Sequence, residues 1–163
     1  MTELVRIREE VARRAEAIAD GAEWPCRKGC DECCRKLAAA PRVSEAEWRE
    51  IAAALEAMDG AGAERVRRRI REAGGETRPV TCPLLDREAG ACLVYGARPV
   101  ACRAYGFYAE RDGVLGCGRI AALAEESAQV VWGNHAALGE RLRGLGREAA
   151  LEEWLAAEGD RAR

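Results

Sequence analysis

Leu4, Val11, Ala15 and Ile18 recur at three- or four-residue multiples, with Ile7 between the first two. That period predicts an amphipathic helix over residues 3–20, with Thr2 as its N-cap and Gly21 as its end. Pro25 and Gly29 break any helix in the segment that follows. Ser44 and Glu47 stand at capping-box spacing, and Trp48, Ile51, Leu55 and Met58 then mark one face of a second helix, stopped at Asp59-Gly60. Val66, Ile70 and Ala73 mark a third, closed by Gly74-Gly75, so the two are expected to form a helical hairpin over about 44–73.

From Thr77 to Gly118 the periodicity dissolves into Pro, Gly and Cys. "CPLLD" and "ACLVY" predict a short β-hairpin across "REAG". Pro99 suits the first turn of a short helix through "VACRAY". Helical periodicity resumes in "GRIAALAEESAQVVWGNHAAL", and "EAALEEWLAAEGD" closes the chain with Leu151, Trp154 and Leu155 apolar. The expected fold is mainly α: a small helical domain with an irregular cysteine-rich core and one short β-hairpin. A single domain spans 1–163, with the core at 22–118 and flanking helices at 1–21 and 119–163.

Composition narrows the picture. The 163 residues suffice for a core without chemical staples, and 48% hydrophobic with 33% charged is a globular balance. Net charge of -2 argues against broad electrostatic binding to nucleic acid or anionic membrane. Charges interrupt the first twenty residues every two or three positions, leaving no signal-peptide apolar stretch, and no apolar run approaches the roughly 20 residues that span a bilayer. A cytoplasmic, reducing setting is therefore the expectation.

In that setting eight cysteines call for an explanation other than disulfides. They form two groups: Cys26, Cys30, Cys33 and Cys34 in "CRKGCDECC", then Cys82, Cys92, Cys102 and Cys117. Adjacent α-carbons lie about 3.8 Å apart, below the ~4.4–6.8 Å usual for a disulfide. Thiolates instead suit zinc or iron, and four of them close a tetrahedral zinc site or hold one iron–sulfur cluster. Eight could complete two such centres. In an extended stretch Cys33 and Cys34 would point to opposite sides and serve both. Arg27, Lys28, Arg35, Lys36, Arg98 and Arg103 flank the thiols and could offset their charge, or could be ordinary solvated cations.

"CRKGCDECC" followed by "CPLLDREAGACLVYGARPVACRAYG" resembles the YkgJ-type cysteine-cluster family, the CxxCxxCC domain proposed to chelate zinc or iron. The resemblance implies Cys26, Cys30, Cys33, Cys34, Cys82, Cys92, Cys102 and Cys117 as ligands. The family's pattern has two residues between its first two cysteines, whereas three, Arg27 to Gly29, stand here. Some relatives are described as flagellin lysine methylases. An iron or iron–sulfur enzyme for redox or group transfer is thus the alternative to a structural or metal-handling protein.

Other features carry less. His135, the only histidine, is read as structural before it is read as a ligand, and a Cys–His nucleophile has no supporting signature. "RVRRRIR" reads as a solvated helix face before a nucleic-acid patch. Tyr95, Tyr105 and Tyr108 could shield the thiols or simply pack. No phosphate loop, dinucleotide fingerprint or HExxH motif is present. A protein partner is left open, and binding is favoured over catalysis because no base, nucleophile or cofactor loop stands out.

Overall fold

The computed structural model describes residues 1–20, 23–75, 77–127 and 129–161. In chain order the elements are α1 (Glu3–Ala19), α2 (Glu32–Arg35), β1 (Arg42–Ser44), α3 (Glu45–Glu56), α4 (Gly60–Ala73), β2 (Leu85–Asp86), β3 (Ala91–Cys92), a 3-10 turn (Tyr95–Ala97), α5 (Val100–Ala104), β4 (Tyr108–Glu110), β5 (Gly113–Val114), α6 (Gly118–Glu126), β6 (Gly133–Asn134), α7 (His135–Arg143), β7 (Glu148–Ala150) and α8 (Leu151–Arg161). Helices dominate, as the periodicity predicts. The chain builds two compact units, each from two separated stretches: Met1–Cys30 with Val100–Leu145, and Asp31–Pro99 with Gly146–Arg163.

In the first unit, α1 starts where expected, with Thr2 Oγ1 accepting from the Val5 amide at 3.4 Å. Its apolar stripe buries Leu4, Ile7 and Val11, and the helix packs on α5 and α7. The predicted terminator Gly21 lies outside the described residues. Arg141 of α7 reaches both Glu3 and Glu10 of α1. A small sheet in the order β5-β4-β6 pairs β4 antiparallel with β5 and parallel with β6. The helical run expected from 118 through 138 is interrupted: α6 ends at Glu126, β6 intervenes, and α7 begins afresh at His135. The reason is local. Asn134 caps α7 by accepting from the Ala137 amide at 3.0 Å, which requires a non-helical backbone at that position.

In the second unit, α3, α4 and α8 surround a core of Trp48, Ile51, Leu55, Val66, Ile70, Leu151 and Trp154. The capping box forms as predicted: Ser44 Oγ accepts from the Glu47 amide at 3.4 Å, while Glu47 Oε2 accepts from the Ser44 amide at 2.9 Å. α3 ends at Glu56 with Ala57 as its C-cap, ahead of the predicted stop at Asp59-Gly60, and Asp59 plays a different part. It caps α4, accepting from the Gly62 amide at 2.8 Å. Strand β1 pairs antiparallel with β7, Val43 opposite Ala149, a contact no periodicity announced because each strand has three residues. Trp154 Nε1 donates to Val43 O at 2.9 Å, fixing α8 on that strand. The predicted hairpin forms as β2–β3, with Leu85 opposite Cys92 and Gly90 supplying the left-handed residue of its turn at φ 61°.

Candidate metal centre

The eight cysteines divide evenly: Cys26, Cys30, Cys102 and Cys117 belong to the first unit, and Cys33, Cys34, Cys82 and Cys92 to the second. Disulfides join none of them, and only Cys82 is fully buried, the rest being half-buried.

In the second unit Cys33 and Cys34 lie on the single turn α2, not in the extended stretch expected from sequence. That corrects their predicted orientation. Helical backbone turns consecutive side chains by about 100° instead of 180°, and the two sulfurs stand 4.0 Å apart. Two thiolates on one zinc at ~2.3 Å would be separated by about 3.8 Å, a similar spacing. Cys34 also contacts the Cys82 thiol, and the Cys82 amide donates to Cys34 O at 2.7 Å. Below α2 the chain is clamped by a bridge between Leu37 and Val80, with N–H···O bonds of 2.9 and 2.8 Å. Cys92 enters from β3, placed by the pairing of Leu85 with Cys92 and by the Leu93 amide donating to Leu84 O at 2.9 Å. It lies near enough to Cys33 and Cys34 for their charges to interact. Cys34 and Cys82, nearly fifty positions apart in sequence, are thus brought into contact.

The electrostatics follow from that crowding. The hydrogen bond with Cys34 and then burial push the Cys33 thiol far up. Cys34 is pulled down by its bond to Cys33, but the Cys82 contact and burial outweigh this, and its pKa is pushed up to about 12. Burial raises Cys92, while the backbone amide of Val94 and the Arg98 guanidinium partly oppose it. Four neighbouring thiols in a half-buried space cannot all ionise without a compensating cation. Arg98 is near Cys92 and lies over the Tyr95 ring at 3.8 Å, and Arg69 interacts with Cys82. Arg35 is committed elsewhere, to Asp31 at 2.5 Å and Arg87 O at 3.0 Å.

In the first unit the links are made through backbone. Trp24 Nε1 donates to Gly106 O at 3.2 Å, next to the Cys26 segment. Cys26 Sγ sits against Gly106, at φ 87°, where a Cβ would overlap the sulfur. The Gly106 amide donates to Leu115 O at 2.6 Å, drawing the end of the Cys102-bearing segment toward the strand that leads to Cys117. Cys117 itself is the N-cap position of α6. Sequence reasoning missed Gly106, because nothing in "AYGF" marks a glycine pressed by a thiol. His135 Nδ1 pairs with Glu110 Oε1 at 2.7 Å, which accounts for it without a metal.

Among the described residues, no group of three or more His, Cys, Asp or Glu side chains stands ready-made around one point to hold a metal ion. In the second unit Cys34 touches Cys33 and Cys82, and Cys92 lies near enough to interact with Cys33 and Cys34 through charge. In kind and number they fit a thiophilic ion: four sulfurs, with the cations Arg69 and Arg98 beside Cys82 and Cys92.

Comparison with known proteins adds one finding. The CxxCxxCC family model, described as a putative zinc- or iron-chelating domain, matches residues 25–129, which include all eight cysteines. No curated protein and no solved structure matches the chain. Among the described residues no helix is long and apolar enough to cross a membrane.

Proposed function

The chain belongs to the CxxCxxCC family, and from that premise we propose that it binds zinc or iron through two sets of four thiolates, one set in each compact unit. Cys33, Cys34, Cys82 and Cys92 form one set; Cys26, Cys30, Cys102 and Cys117 form the other. The observation that carries the reading is Cys34, whose thiol contacts both Cys33 and Cys82 while its backbone carbonyl accepts from the Cys82 amide. Sulfurs from α2 and from the segment before β2 meet there. A bound ion would supply the positive charge that lets them ionise together.

With four protein thiolates per centre, the coordination shell closes and leaves no position for substrate. The role that follows is structural or metal-handling. In the second unit an ion held by Cys33, Cys34, Cys82 and Cys92 would cross-link α2 to the β2–β3 hairpin, so its binding free energy becomes folding free energy. Arg69 and Arg98 lie near Cys82 and Cys92 and would offset the net negative charge of a four-thiolate site.

The test is elemental analysis with an absorption spectrum, on protein purified without oxygen. Stoichiometric zinc in a colourless sample, or iron with sulfide in a brown one, is the expected result, and the two outcomes name the metal. A folded, metal-free protein whose eight thiols all react with a thiol reagent would overturn the proposal.

A further inference from the structure

Within the second unit, Cys34 and Cys82 are tied by backbone as well as by sulfur. The Cys82 amide donates to Cys34 O at 2.7 Å, and the two thiols are in contact. With standard bond lengths that hydrogen bond keeps their α-carbons within about 6.6 Å of each other, inside the ~4.4–6.8 Å range of disulfides. Nearby, the bridge between Leu37 and Val80 holds the same two segments with bonds of 2.9 and 2.8 Å. The fold has thus already closed the long loop between the two cysteines, which is the entropic cost a disulfide would otherwise meet.

The other pairings fit less well. The Cys33 and Cys34 sulfurs stand 4.0 Å apart on the helical turn α2, but the α-carbons of adjacent residues lie about 3.8 Å apart, short of the disulfide range. Cys92 is fixed on β3 by its pairing with Leu85. Access is also unequal: Cys82 is 6% exposed, whereas Cys34 is half-buried. An accessible thiol backed by a buried one is how a sensor cysteine stands to its resolving partner.

We propose that Cys34 and Cys82 form a reversible disulfide by exchange with a small-molecule disulfide such as oxidised glutathione, and that this withdraws two of the four ligands from the second unit's centre and releases its metal. In the first exchange the Cys34 sulfur bonds to one glutathione sulfur, the glutathione S–S bond breaks, and one reduced glutathione leaves. The Cys82 sulfur then bonds to Cys34 and displaces the second glutathione. The two cysteines lose two electrons and two protons, which the glutathione pair takes up. Cys33 and Cys92 are left, too few to close a four-sulfur shell. The release rests on the metal reading, whereas the disulfide does not.

The test is incubation of the full chain with millimolar oxidised glutathione to equilibrium, with and without a chelator. Free thiols are then alkylated, the protein is digested without reduction, and the peptides are mapped by mass spectrometry. The expected product joins the Cys34 peptide to the Cys82 peptide, with Cys33 and Cys92 alkylated. Cys33→Ser should keep that link and Cys34→Ser should abolish it. In metal-loaded protein the link should appear together with loss of half the metal. A link that survives Cys34→Ser, a dominant Cys33–Cys34 bridge, or glutathione adducts alone would overturn the disulfide, and full metal retention in linked protein would overturn the release. The loaded chain decides where chelation changes the circular dichroism spectrum. A chain that binds no metal still reports on the link, and a chain without the link still reports its metal content, so the two readings fail separately.

Discussion

Cys34 concentrates the account into one residue. Its thiol faces Cys33 on the same turn and Cys82 from another segment, and its carbonyl is tied to the Cys82 backbone. The sequence marked the eight cysteines as candidate ligands because so many thiols have few other uses in the reducing compartment that the sequence leads one to expect. It could not reveal the geometry of Cys33 and Cys34. Two adjacent residues carry no period, and they lie on the single helical turn α2, just ahead of the bridge between Leu37 and Val80. Gly106 is the second informative residue. Its left-handed backbone and its contact with Cys26 Sγ leave no room for a methyl group. Gly106→Ala is therefore expected to perturb the first unit and loosen the Cys26 environment, read as faster reaction of that thiol with iodoacetamide by peptide mass mapping. An unchanged rate would show that the close approach is dispensable.

At the scale of elements, the helices were the most readable part. Long apolar stripes fixed α1, α3, α4 and α8, and the Ser44–Glu47 spacing fixed where α3 begins. Ser44→Ala removes the hydroxyl that accepts from the Glu47 amide and donates to the buried Glu47 carboxylate. A loss of about 1–2 kcal/mol is expected, or a fall in Tm of roughly 2–8 °C for a chain of this size, measured by thermal melting. A shift below 1 °C would mean that the cap is replaced by water. The short strands were not readable. Pairings such as β1 with β7 and β4 with β6 join two or three residues each, too few for alternation to register. Tertiary contact made these strands, and propensity did not. The same holds for the break between α6 and α7, where the Asn134 cap overrode an apparently continuous helical pattern. The "RVRRRIR" segment lies on α4 with Val66 and Ile70 buried, and Arg65 and Arg68 are exposed as a solvated face would have them. Arg69, inclined toward the hairpin and bonded to Leu85 O, became visible only once that hairpin was in place.

Across the whole molecule, the even division of thiols is the main result. The chain order suggests one group of four before the α3–α4 hairpin and one after it. The compact units regroup them, pairing Cys33 and Cys34 with Cys82 and Cys92, and Cys26 and Cys30 with Cys102 and Cys117. No spacing rule reveals this, because it follows from the chain leaving the first unit after Cys30 and returning to it at Val100. Two centres that use separate ligands should be separable by mutation. The direct measurement is metal per chain, determined by elemental analysis on the purified protein and on Cys82→Ala and Cys102→Ala. Each variant is expected to keep half the metal of the parent protein and to lose the other half. Total loss of metal in both variants would contradict the account by pointing to one shared centre, and full retention in either would remove that cysteine from the ligand set.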